Sequence, residues 1–252
     1  MIILETAGLD KSYGPVHAVD HLDIRVGQGQ VYGILGPNGS GKTTTLSMLM
    51  GIVRPDGGSF SWFGSPPGPA ANRRIGALIE SPNFYPYLNL DQNLRIACRI
   101  KDVAERDIER VLRVVKLWDR RRSRYQTLSL GMKQRLGIGS LLLGDPEVLV
   151  LDEVTNGLDP EGIAEVRSLI RSVAATGKTI ILASHILDEV EKVCSHVVVL
   201  KNGVKLAEGE VDNLIKGREV IMVGSDDLER LGKALAGSGM AGNIKQEGEW
   251  FN

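Results

Sequence analysis

Along the chain, short runs of aliphatic and β-branched residues alternate with longer stretches in which apolar positions return every three or four residues. That order predicts an α/β protein with a largely parallel central sheet. Strands are expected at 22–26 and 30–35, joined by Gly27-Gln28-Gly29 as a hairpin or tight connection, and again at 59–63 and 74–79. From 88 to 143 the period changes. Leu94, Ile96 and Ala97, then Ile108, Val111, Leu112, Val115 and Leu117, fall at helical spacing with charges between them, which predicts a helical insertion. Sheet character returns at 148–151, a fully apolar run suited to a strand buried on both faces, and recurs at 179–183 and 197–200. Helices are expected at 161–175 and 186–194. Beyond about Gly217 the pattern weakens to a short strand at 219–223, a helix at 228–235 and a small, unpatterned run at 237–242.

The chemistry sits just after three of these strands. Gly36-Pro37-Asn38-Gly39-Ser40-Gly41-Lys42-Thr43 matches the eight-position phosphate-loop pattern, follows an apolar strand and runs into a helical stretch from Thr44. Glycines let successive backbone N–H groups turn toward a phosphate, and the start of the helix adds its partial positive charge. Lys42 is then placed to reach the β and γ phosphates, and the Thr43 hydroxyl to ligate Mg²⁺. A turn that is glycine-rich for backbone shape alone leaves the Lys-Thr pair unexplained.

A phosphate loop needs a carboxylate-bearing strand for its metal. The run 148–151 leads straight into Asp152-Glu153, two acids at the carboxyl end of a buried strand, where open α/β sheets bind their ligands. Asp152 is the natural Mg²⁺ partner, and Glu153 the candidate to polarise or orient an attacking water. His185 follows the strand 179–183, where an imidazole could meet the γ phosphate and that water.

Composition narrows the classes further. The 252 residues are 42% hydrophobic and 24% charged, the balance of a globular chain able to bury a substantial core. Thirty Lys and Arg against thirty-one Asp and Glu give a formal charge of −1, so nothing advertises a nucleic-acid partner. The two cysteines, Cys98 and Cys194, argue against a disulfide framework or a four-ligand zinc site and fit a reducing cytosol. No apolar run reaches the roughly 18 to 20 residues of a spanning helix, and the N-terminus lacks a basic region followed by a long apolar one. Neither a membrane span nor a secretory signal is expected.

From Ile3 to about Lys216 the chain resembles the nucleotide-binding ATPase subunits of ABC transporters. Beyond the phosphate loop and the acidic strand, Leu128-Ser129-Leu130-Gly131-Met132, followed by Lys133-Gln134-Arg135, looks like the family's signature motif. Asn156-Gly157-Leu158-Asp159-Pro160 is similar to the loop that crosses the family's dimer interface, and Tyr13 stands at the place of the aromatic that stacks on adenine. The resemblance implies a P-loop NTPase fold of the ABC ATPase type within the α/β class. It has a mixed central sheet, an N-terminal antiparallel β-subdomain and a helical signature subdomain at about 88–143. Together these would fill 1–217, with 218–252 a small C-terminal extension, cut short or too small to act alone.

The resemblance also implies cofactors and partners. ATP would be held by Tyr13, by the loop from Gly36 to Thr44 and, from a second copy of the chain, by Ser129, Gly131 and Asp159. Thr43, Asp152 and Glu80 would surround Mg²⁺, and Glu153, His185 and Glu80 would serve hydrolysis. Ser129 and the Gly131 backbone, at a helix start, form a second anion-binding edge in their own right. Two such surfaces would meet across a two-fold axis, with ATP between them. The expected assembly is a homodimer on an integral membrane permease at the cytoplasmic face of the cell membrane. It has no nucleic-acid partner and no span of its own.

Several positions depart from the family pattern. Leu130 and Met132 replace the usual glycine and glutamine of the signature, and Val154 the usual proline. In Ile79-Glu80-Ser81-Pro82, Glu80 stands where most members place a metal-contacting glutamine, adding negative charge beside Asp152 and Glu153. That pattern is similar to the bacitracin and lantibiotic export branch, which implies export of a drug, peptide antibiotic or other amphipathic compound. Phe84-Tyr85-Pro86-Tyr87 reads equally as internal packing or as a groove for a cytoplasmic helix of a membrane partner. Arg120-Arg121-Arg122-Ser123-Arg124 reads as a solvated loop before a lipid-headgroup contact. A soluble relative acting on ribosomes or DNA is the alternative. A kinase or GTPase is disfavoured, since no Asn-Lys-x-Asp motif occurs and the signature would go unexplained.

Overall fold

The longest described strand, Ile2–Tyr13 (β1), has no counterpart in the hydrophobic pattern. Its alternation is broken because it serves three antiparallel partners, with a register shift against each. Val16–Leu22 (β2) pairs with its second half and Arg25–Gly27 (β3) with its first. After an excursion through Val31–Leu35 (β4) and the helix Lys42–Leu49 (α1), Gly57–Trp62 (β5) returns to β1. The computed structural model describes residues 1–215, 223–224, 246–247 and 250–251. The chain forms two compact units, Met1–Val211 and Asp212–Asn252.

The hairpin reading of Gly27-Gln28-Gly29 is corrected. β3 stays on β1, whereas β4 enters a different sheet, so this tight turn hands the chain from one sheet to the other. Gln30 closes it. The Gly27 N–H donates to the Gln30 side-chain oxygen at 2.7 Å, and the Gln30 N–H donates back to the Gly27 carbonyl at 3.3 Å.

The remaining elements of the first unit run in order. After the short helix Pro69–Asn72 (α2) and Ile75–Leu78 (β6) come the helices Leu90–Lys101 (α3), Asp107–Val114 (α4) and Leu130–Leu141 (α5). Then follow Val148–Asp152 (β7), Pro160–Ala174 (α6), Thr179–Ser184 (β8), Leu187–Val193 (α7), His196–Lys201 (β9) and Val204–Glu210 (β10); the next helix, Val211–Ile215 (α8), begins on the last residue of this unit. The large sheet has the order β10-β9-β4-β8-β7-β6, with every pair parallel except β10 on β9. It is the mixed sheet expected. β7 and β8 are buried along their whole lengths, as strands covered on both faces must be. β10, like β1, has no counterpart in the hydrophobic pattern, because its apolar residues Val204 and Leu206 face outward and the usual alternation signal is inverted.

The main core joins both sheets through α1, whose Leu46, Met48 and Leu49 pack with Ile3, Leu4, Leu9 and Trp62 of the small sheet and Val148, Val150 and Ile181 of the large one. Trp62 is fully buried and its indole N–H donates to the Leu49 carbonyl at 3.0 Å, meeting the requirement of a buried polar atom. Both cysteines are buried. Among the described residues, no helix is long and apolar enough to cross a membrane.

The helical insertion starts on a capping box. The Asn89 side chain accepts from the Gln92 N–H at 2.8 Å, and the Gln92 side chain accepts from the Asn89 N–H at 3.0 Å. Asn89→Ala is expected to destabilise the protein by about 1 kcal/mol, read as a lower urea midpoint at unchanged slope. In the second unit, Val223–Gly224 (β11), Gln246–Glu247 (β12) and Trp250–Phe251 (β13) form a sheet in the order β11-β13-β12. The expected helix at 228–235, most of the strand at 219–223 and the run 237–242 lie outside the described residues.

Candidate functional site

Four parallel strands end side by side, in the spatial order β4, β8, β7, β6. Their registers align Leu35 with Ser184, Asp152 with Ala183 and Leu78 with Leu151. The residues that follow these ends are the phosphate-loop segment, His185, Glu153 and Glu80. One edge of one sheet therefore gathers side chains that are far apart in sequence.

The loop 36–41 is shaped by close approach. A Cβ at Gly36 would stand 2.3 Å from the Leu200 carbonyl, and one at Gly41 2.2 Å from that of Ala18, with Gly41 at φ 100°. Only glycine fits either place. α1, unlike α3, α5 and α6, has no side-chain cap and no acidic residue in its first turn, so its first N–H groups are left for an anion. Lys42 is 5% exposed, and its ammonium donates to the Gly36 carbonyl at 2.8 Å and the Pro37 carbonyl at 3.1 Å. The same ammonium lies 3.1 Å from Glu153 Oε1.

The carboxylates are unequal. Thr43 donates its hydroxyl hydrogen to Asp152 Oδ2 at 2.8 Å, while Asp152 Oδ1 is buried without a partner. Burial pushes the Asp152 carboxyl above the usual range. The Thr43 bond and Lys42 oppose that push, and the charges of Glu153 and Glu80 add to it. A carboxylate oxygen awaiting a partner, a hydroxyl beside it and Glu80 in the same cavity of about 320 Å³ make a hard-oxygen donor set that fits Mg²⁺.

Asp152 holds its proton more tightly in the folded chain than in the unfolded one. The unfolded chain releases this proton first, so the contribution of Asp152 to stability is full below its unfolded pKa and is lost as pH rises through the higher folded value. The ionised carboxylate, with Oδ1 buried and unpartnered, therefore costs the metal-free fold stability. Asp152→Asn is expected to unfold at a higher temperature than the parent in chelator, and to lose the parent's stabilisation by Mg²⁺ with nucleotide, both read by thermal denaturation.

Glu153 is held at both oxygens, Oε1 by Lys42 and Oε2 by His185 Nδ1 at 2.7 Å. Glu153 and Glu80 have φ of 49° and 65°, left-handed values that are costly for a non-glycine residue and concentrate at functional sites. The cavity also takes Tyr125, Lys133, Gln134 and Asn156, which sequence reasoning did not place there. Lys133 and Gln134 belong to the run that follows the signature and Asn156 opens the Asp159 motif, while Tyr125 has no sequence signal beyond nearness to Ser129.

Other expected site residues lie elsewhere. Ser129, Gly131 and Asp159 line a second cavity of about 370 Å³, which shares only Leu130 with the first. Within the chain, Ser129 and Asp159 are helix caps, accepting from the Met132 N–H at 3.3 Å and the Gly162 N–H at 3.0 Å. Tyr13 stands half exposed on β1, with the Lys11 ammonium 5.4 Å from its ring centre. The aromatic run divides between its two readings. Phe84 packs on Tyr125 at 5.2 Å, whereas Tyr85 and Tyr87 lie exposed, 6.0 Å apart. In the arginine run, Arg121 stacks on Trp118, while Arg120, Arg122 and Arg124 are exposed.

A family described as "ABC transporter" matches residues 19–156. The chain is 45% identical over 219 residues to the "Bacitracin transport ATP-binding protein BcrA" of Bacillus licheniformis, covering 85% of this chain and 72% of that one. It is 38% identical over 243 residues to the "Nod factor export ATP-binding protein I" of Cupriavidus pinatubonensis, covering 92% and 75%. Among solved structures it resembles cbiO1 from Clostridium perfringens, described as part of the ABC transporter complex cbiONQ. The TM-score is 0.78 at 28% identity, covering 85% of this chain and 91% of that one.

Proposed function

Because the chain belongs to the ABC transporter family as an ATP-binding domain, we propose that it hydrolyses ATP to drive a separate integral membrane permease, exporting a drug, peptide antibiotic or other amphipathic compound. The observation that carries this reading is the linked set Thr43–Asp152 and Lys42–Glu153–His185 at adjoining strand ends. Bound ATP with Mg²⁺ supplies an electrophilic phosphorus and spreads the charge of the leaving group. Lys42 turns its ammonium from the loop carbonyls to the phosphate oxygens. Glu153 holds the attacking water and takes its proton at Oε2, while His185 orients that carboxylate and meets the transferred group. Glu80, in the same cavity, keeps a further acceptor beside the metal site.

The separation of the Ser129 cavity from the cavity that holds Thr43, Asp152 and Glu153 supports a second copy completing each site. The Glu80 pattern and the two relatives named for bacitracin transport and Nod factor export support the export direction. The exposed Tyr85 and Tyr87 support permease docking at the cytoplasmic face. Affinity purification from solubilised membranes is expected to bring down a multispanning protein whose presence enhances ATP turnover. Ribosomes or DNA retained in its place at moderate salt would overturn the reading. Tyr85→Ala with Tyr87→Ala is expected to weaken that co-purification at least tenfold, about 1.4 kcal/mol, with the ATPase activity of the isolated chain unchanged.

A further inference from the structure

We infer that Glu189, on α7, is a positioning residue for His185, holding the turn after β8 so that the imidazole meets Glu153. The inference rests on the reading of Glu153 and His185 as the hydrolytic pair.

Glu189 is 4% exposed in the first turn of α7. Its Oε2 accepts the Ser184 hydroxyl hydrogen at 2.8 Å, while its Oε1 is buried without a partner. The Ser184 oxygen in turn accepts from the Ile186 N–H at 3.0 Å. The hydroxyl is thus clamped from two sides, and His185 is the residue between the clamped positions. The Ser184 carbonyl accepts the Gly36 N–H at 3.3 Å, so the same turn also touches the start of the phosphate loop.

Packing alone does not fix the imidazole, whose side chain is 35% exposed. A mobile ring would have to be ordered each time it meets Glu153, at an entropic cost. The anchor itself is rigid. A Cβ on Gly33 of β4 would stand 2.9 Å from Val190 and 3.1 Å from the Cys194 sulfur, so α7 lies tight on the strand that feeds the phosphate loop. A buried carboxylate is a costly group to spend on filling space, and here its one hydrogen bond leads directly to the residue before His185.

The test compares Ser184→Ala, Glu189→Ala, Glu189→Gln, His185→Ala and the Glu189→Ala/His185→Ala double variant in the full chain. Steady-state phosphate release is measured beside equilibrium binding of a fluorescent ATP analogue. Ser184→Ala and Glu189→Ala are expected to lower kcat about tenfold with analogue affinity within about twofold of the parent. Glu189→Gln, which keeps an acceptor for the Ser184 hydroxyl, should retain most of the rate. In the His185→Ala background, Glu189→Ala should cost nothing further, since the group it positions is gone. The imidazole NMR signals give a readout apart from activity. Of the four histidines, His185 alone should shift toward its unstructured position in Glu189→Ala and Ser184→Ala.

Losses that multiply in the double variant, or an unmoved His185 signal in either folded single variant, overturn the inference. If Glu189→Ala fails to fold, Ser184→Ala decides the matter, because it keeps the backbone bond to Gly36. A His185→Ala variant with parental turnover would instead sink the hydrolytic reading, and the NMR signals would still judge the positioning.

Discussion

Glu153→Gln is expected to lower ATP turnover by roughly 10²- to 10⁴-fold while ATP binding stays near the parental level. The substitution keeps size and shape, so an amide oxygen can still face the Lys42 ammonium, which lies 3.1 Å from Glu153 Oε1. An amide near neutral pH cannot accept the proton of an attacking water, and that is the function removed. The left-handed backbone at Glu153 holds the side chain beside His185 whichever of the two residues is present. Phosphate release and nucleotide binding, measured on the same preparation, separate the two effects. With hydrolysis blocked, ATP should also hold two copies together, visible as a dimer in light scattering that reverts when ATP is removed. Turnover near the parental rate would mean that another group takes the proton.

The second large effect is expected at Lys42, and on binding. Lys42→Met keeps most of the buried aliphatic stem and removes the ammonium that now serves two loop carbonyls and Glu153. Charge-assisted hydrogen bonds to phosphate are among the stronger contacts in proteins, so a loss of about 1.5 to 3 kcal/mol is expected, roughly 10- to 150-fold in ATP affinity. Equilibrium dialysis or analogue fluorescence checks this directly. The fold should survive, because α1 is held in the core by Leu46, Met48 and Leu49 rather than by Lys42. Unaltered affinity would show that the backbone N–H groups at the start of α1 supply the phosphate contact unaided.

What the chain displays openly is whatever is local. Gly36 to Thr43 and the acids after a wholly apolar strand can be read residue by residue, because loop geometry and metal chemistry act over a few positions. Order in space is different. His185 meets Glu153 because β8 lies between β4 and β7, and strand order is settled by packing across the whole sheet. β1 is hidden in the sequence because its bulges and three partners erase the two-residue alternation, and β10 because its apolar side faces outward. Gln134 was read only as part of the signature run, yet the fold buries it beside Asp152 and Glu153. Glu189 stands between Asp188 and Glu191 in the expected helix 186–194 with nothing to set it apart, and its burial against Ser184 appears only in three dimensions.

A parallel sheet that sends its carboxyl ends to one edge must open its amino ends on the other. There Gly177, at φ 86° with open space around it, tops an exposed turn just before β8. That turn offers a handle for the experimenter. A fluorophore or short affinity peptide inserted beside Gly177 would sit at the end of the sheet opposite Lys42, Asp152 and Glu153.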